Sequence, residues 1–115
     1  MSDKAAAGHL TLAVHRTGNA AVVQCSGKLV AGMNDLLYIH VKPLIPDCKR
    51  IVLDMKDLTH MDSMGLGTVV RLYVSAKSAG CDLELANIGR PIRHLLGVTH
   101  LISVLAIIGE HNIRL

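Results

Sequence analysis

A chain of 115 residues is long enough for one domain with one core. Half of it is hydrophobic, but with no Phe, no Trp and 2 Tyr the interior must be built from Leu, Ile, Val, Ala and Met, and stacking platforms for single-stranded nucleic acid are missing. The formal net charge of +3 is mild and its Lys and Arg are scattered, which argues against direct nucleic-acid binding.

Residues 1–8 read as a disordered tail, leaving 9–115 as the folded domain. Leu10, Leu12 and Val14 alternate with Thr11, Ala13 and His15, which is the period of a strand. Thr17-Gly18-Asn19 is a turn signal, and residues 20–26 read as the returning strand of a hairpin. Gly27 and Gly32 punctuate a stretch that is either loop or more of that strand. Asn34 is placed to cap a first helix, with Asp35 beside it at the positive end. Leu37, Val41 and Leu44 share one face of this helix. Pro43 has no N–H to donate toward Ile39, so the helix should kink or end early, and Pro46-Asp47 closes it.

Residues 51–55 are apolar at successive positions, as expected of a strand covered on both sheet faces. Asp62-Ser63-Met64-Gly65-Leu66-Gly67 then joins that strand to an amphipathic helix running to Ala79. Leu66, Val69, Val70 and Tyr73 are expected to face inward, and Lys77 falls on the same side, its stem able to snorkel out. Met64, Thr68, Arg71 and Ser75 occupy the opposite face. Gly80 is a C-terminal stop. Residues 82–86 read as another strand. Arg90-Pro91-Ile92 opens a short helix that ends near Gly97, and residues 104–107 read as the last strand. Strands and helices in this order, after a hairpin, imply a single α/β domain with a mixed sheet of about five strands and helices packed on it.

Cys25, Cys48 and Cys81 lie far apart without a CxxC pair, so neither a zinc site nor a disulfide framework is expected. Buried, reduced thiols in a cytoplasmic protein fit this odd count. The N-terminus lacks an apolar signal core, and no apolar run approaches the roughly 18 residues of a membrane span. His94 and His100 have no further ligand at metal spacing, so no metal and no cofactor are expected.

The chemistry concentrates at Ser63. A hydroxyl at a strand-to-helix turn, at the positive end of a helix, is a natural N-cap and a natural place for a phosphate. In the capping reading, Asp62 tunes the turn and the glycines serve its geometry. In the phosphate reading, Gly65 and Gly67 expose backbone for a close-approaching partner, and Met64, Thr68, Arg71 and Ser75 form its docking face, with Arg71 facing a carboxylate. The residues alone leave both open. A serine hydrolase is disfavoured, because Met61 stands where the G-x-S-x-G elbow needs glycine. His60 is then a loop residue near the turn, not a catalytic base.

Four stretches together resemble the STAS domain of bacterial anti-sigma-factor antagonists: Gly27-Lys28-Leu29-Val30-Ala31-Gly32, Ile51-Val52-Leu53-Asp54, the Asp62 to Gly67 signature, and Ala79-Gly80-Cys81-Asp82-Leu83-Glu84-Leu85. The likeness runs from about residue 9 to about residue 108. It implies that Ser63 is phosphorylated by an anti-sigma factor with serine kinase activity, that the unmodified form binds this kinase, and that a serine phosphatase restores it. Asp62, Ser63, Gly65, Leu66 and Gly67 match the family motif. The chain departs from the pattern at residues 109–115, which leave a C-terminal helix short or missing. An uncovered sheet face could then meet a partner, and a homodimer is among the expectations. Two other functions compete: a constitutive scaffold or transporter-associated subunit indifferent to Ser63, and a nucleotide-binding sensor, disfavoured because no phosphate-cradling glycine loop is present.

Overall fold

The computed structural model describes residues 2–7, 9–99 and 106–108. In chain order these form β1 (Ser2–Ala7), β2 (Leu10–Thr17), β3 (Ala20–Leu29), α1 (Asn34–Val41), a 3-10 helix (Lys42–Asp47), β4 (Arg50–Met61), α2 (Ser63–Ser78), β5 (Asp82–Ala86), α3 (Arg90–Val98) and β6 (Ala106–Ile108). The sheet has six strands in sequential order. β1, β2 and β3 are antiparallel neighbours; β3 to β6 are parallel. The sheet is mixed, as expected, and one strand larger.

The extra strand is β1. The segment read as a disordered tail pairs with β2 in register from Ser2↔His15 to Ala7↔Leu10. Its pattern is too weakly amphipathic to announce a strand, and β2 supplies the ladder from outside the segment. Residue 104, the expected start of the last strand, lies outside the described residues; β6 is seen over Ala106–Ile108. The stretch expected to lack a C-terminal helix, 109–115, is outside them too.

Buried rows cross the sheet, as in Val14↔Val23↔Leu53↔Leu85 and Ala21↔Ile51↔Leu83. Leu37, Val41, Leu66, Val69 and Leu72 of the helices join the same cluster. β4 does not read as a strand sandwiched on both sides. Ile51, Leu53 and Met55 are buried, whereas Val52 and Asp54 are only half-buried and the neighbouring Val22 is exposed. Among the described residues the second sheet face is thus partly open, and successive apolar residues overstated its cover. Asp54 lies within β4, where its pairing with β5 ends: its Oδ1 accepts from the Asn87 side-chain amide at 3.0 Å and the Lys56 N–H at 3.1 Å.

α1 stops at Val41, and the 3-10 turn carries Pro43 and Pro46, in line with the missing proline N–H groups. Its N-cap is Met33 rather than Asn34, without a side-chain bond. α2 ends in a Schellman motif: Cys81 N–H donates to Ala76 O at 2.9 Å, Gly80 N–H to Lys77 O at 3.3 Å, and Gly80 takes φ +74°.

Candidate functional site

β4 extends to Met61, six residues beyond its apolar run, so one residue, Asp62, separates it from α2. Asp62 is extended (φ −107°, ψ −176°) and is the N-cap. Its Oδ1 accepts from the Gly65 N–H and its Oδ2 from the Ala31 N–H, both at 2.9 Å. Its backbone carbonyl accepts from Leu66 N–H at 2.9 Å, and its own N–H donates to Leu29 O at 3.4 Å. Capping therefore falls to Asp62, not Ser63. A carboxylate makes the stronger, charge-assisted bond to the third helical amide, and it has a second oxygen for the β3–α1 loop. Ser63 becomes the first residue of α2 and is exposed.

The two amide bonds, Gly65 first and Ala31 second, hold the Asp62 carboxyl below the usual carboxylate range. A carboxyl lowered in the folded state adds stability that is fully present above its unfolded value, about 3.9, and is lost as pH falls through the lower folded value. Asp62→Ala should cost about 1–2 kcal/mol at neutral pH, the upper range for a lost cap. Asp62→Asn, which still caps, should remove the acid dependence. Urea unfolding of wild type and Asn from neutral to acid pH checks it: their difference should shrink below about pH 4, and a constant difference would show that Asp62 is not the coupled group.

Gly65 is buried, and its role differs from the one expected. A Cβ built there would stand 2.9 Å from Leu29 Cγ and closer still, at 2.2 Å, to the Leu29 carbonyl oxygen. It lets α2 approach the end of β3, so the close approach is internal. Gly67 is exposed, and a Cβ there would meet nothing within 4 Å.

The expected docking stripe needs revision. Met64 and Arg71 are exposed and Ser75 is half-buried, but Thr68 is 2% exposed and its hydroxyl donates to Met64 O at 3.3 Å. Thr68 belongs to the core side, and returning its hydroxyl to its own helix is what permits burial. The inner face is Leu66, Val69, Leu72 and Ala76, while Val70 and Tyr73 are half-buried and Lys77 is exposed. Leu72, missed in the periodicity, shifts the helix phase and explains all of these together.

Residues distant in sequence complete the surface. The Arg71 guanidinium lies 4.3 Å from the Tyr38 ring centroid, and Lys42 Nζ donates to Ser75 Oγ at 3.2 Å. Neither pairing, nor the Ala31 amide on Asp62, has a local signal, since each spans more than thirty residues. His60 is not a loop residue; it is in β4, in register with Lys28. Thr59 Oγ1 donates to Gly27 O at 2.9 Å, so its 2.8 Å contact with His60 Nδ1 places the proton on Nδ1. The three thiols are buried and free. Burial, aided by the Asp54 charge, pushes Cys25 up to about 12; burial chiefly raises Cys81. Neither is a poised nucleophile.

An exposed serine thus follows the Asp62 cap at the strand-to-helix turn of a mixed sheet. The STAS domain model matches residues 11–112, and the chain belongs to that family. It is similar to the anti-sigma F factor antagonist of Paenibacillus polymyxa, 28% identical over 88 residues that make up 75% of each chain. In fold it is similar to the Bacillus cell fate determinant SpoIIAA in its phosphorylated form (TM-score 0.69, 18% identity, covering 86% of this chain and 92% of that one). It is also similar in fold to a sulfate transporter family protein from Wolinella succinogenes (TM-score 0.70, 16% identity, covering 82% and 80%). No helix among the described residues is long and apolar enough to cross a membrane.

Proposed function

We propose that this chain is an anti-sigma-factor antagonist controlled by phosphorylation of Ser63. Unmodified, it binds an anti-sigma factor with serine kinase activity in the cytoplasm and frees a sigma factor. The kinase phosphorylates Ser63, the complex parts, and a serine phosphatase restores the hydroxyl. The chain acts as a binding switch and carries no catalysis of its own.

One observation carries the reading: Asp62 makes the capping bond, so Ser63 stands exposed at the helix N-terminus without that structural duty. A phosphate there gains from the helix dipole and free N–H groups, while the Asp62 carboxylate beside it disfavours an inward turn. The fold is retained and the outer surface changes. The relatedness to an anti-sigma F factor antagonist supports the same reading. The likeness to a sulfate transporter family protein is one of fold alone and does not displace it.

Incubation with ATP and each purified serine-kinase anti-sigma factor of the source organism tests the proposal. Tandem mass spectrometry should find one phosphate, on Ser63, and none on Ser63→Ala. Phosphate on another residue, or none with any of these kinases, sinks the proposal.

A further inference from the structure

The α1–α2 surface next to Ser63 carries more chemistry than the motif does. Tyr38 meets Arg71, and four residues further along, Lys42, directly after α1, meets Ser75 of α2. Equal steps in the same sense mean that α1 and α2 lie side by side and run in the same direction. Their outer positions form one continuous face. Among the described residues five large hydrophobic side chains are left exposed, and three lie on these two helices: Ile39 (63%), Met64 (54%) and Val74 (56%). Met64 and Val74 stand roughly 15 Å apart along α2, at 1.5 Å per residue, with Arg71 between them.

The cations of this face sit on the helix–helix seam, and Asp62 stands at the head of α2. Arg71 and Lys42 are exposed, and no carboxylate forms an ion pair with either among the described residues. Asp35 is the acid of α1 and sits a turn away, toward the helix start. The Tyr38 ring restrains the Arg71 guanidinium by a cation–π contact, which lowers the ordering cost of using its donor edge. A restrained guanidinium without a carboxylate is suited to bidentate pairing across an interface.

We infer that the α1–α2 face receives a protein surface whose carboxylates pair with Arg71 and Lys42 on the helix–helix seam and whose apolar groups rest on Ile39, Met64 and Val74 around them. This deepens the proposed function, on which it rests: the partner is the kinase anti-sigma factor, and its contact region is acidic. The same chemistry explains the direction of the switch. Ser63 heads α2 roughly 12 Å from Arg71 along the helix, at 1.5 Å per residue. A phosphate there adds about −1.5 to −2 charges beside Arg71 and Lys42 and repels the carboxylates that these cations attract.

The test uses full-length protein and the serine-kinase anti-sigma factors of the source organism. Affinity is measured at low and high salt for wild type, Arg71→Glu, Arg71→Lys and Ser63→Asp. Arg71→Glu should bind about tenfold or more weakly at low salt, with a smaller loss at high salt. Arg71→Lys should recover part of the affinity, and a water-soluble carbodiimide should join its amine, or that of Lys42, to a partner Asp or Glu. Urea unfolding should show Arg71→Glu folded as stably as wild type, so that lost binding is lost contact. If a kinase binds wild type and rejects Ser63→Asp but binds Arg71→Glu equally well, this inference fails and the switch stands. If no serine-kinase anti-sigma factor binds wild type, the proposed function fails and this inference with it.

Discussion

Gly65→Ala should be the most destabilising single-methyl change in α2, costing about 3 kcal/mol, at or above the top of the usual overpacking range. The added Cβ would stand 2.2 Å from the Leu29 carbonyl oxygen, a backbone atom at the end of β3 that cannot rotate away. Relief requires α2 to lift from the sheet. That motion strains both Asp62 bonds, because Oδ1 holds the Gly65 amide and Oδ2 the Ala31 amide. The better helix propensity of alanine offsets only about 1 kcal/mol. Gly67→Ala supplies the internal control. It lies two residues along the same helix, meets nothing within 4 Å, and should stabilise by up to about 1 kcal/mol. Urea unfolding followed by circular dichroism measures both. Opposite signs are expected; equal effects would show that the Leu29 contact does not govern Gly65.

Phosphorylation of Ser63, or Ser63→Asp as its mimic, should lower affinity for the kinase anti-sigma factor about 30- to 150-fold, from a loss of about 2–3 kcal/mol. Ser63→Ala should bind like wild type, because Asp62 rather than Ser63 caps the helix. For the same reason neither substitution should move stability by more than about 0.5 kcal/mol, the ordinary range for an exposed site. The combination is diagnostic. A capping serine would lose stability on Ser63→Ala and change binding little. Calorimetric titration beside unfolding of the same variants separates the two, and similar affinity for all three proteins would leave a constitutive scaffold as the better reading.

Much of this fold could be read directly. The bounds of β5 and the termination of α1 at its prolines follow from local chemistry: apolar alternation, turn residues and a missing N–H act within a few neighbours. β1 could not be read, because its ladder partner is β2. The last residues of β4 were equally hidden. Asp57-Leu58-Thr59-His60-Met61 lacks a clean strand period, and it pairs with β3 across register shifts at Gln24/Ser26 and Gly27/Lys28.

The sequence by itself determined that a serine would stand at a strand-to-helix turn, since the apolar strand, the signature and the amphipathic helix are contiguous. Only the tertiary structure decided what that serine is for within the fold. Asp62 and Ser63 are both good caps, and the choice fell to the residue whose carboxylate reaches Gly65 and also the Ala31 amide, 31 positions earlier. The same holds for the face of α2. Composition made the helix amphipathic, but its phase was set by which side chains the sheet could accept, turning Leu72 and Thr68 inward and leaving Arg71 over Tyr38. Local propensities depend on nearest neighbours along the chain; cap choice and helix phase depend on groups that become neighbours only when the sheet is assembled.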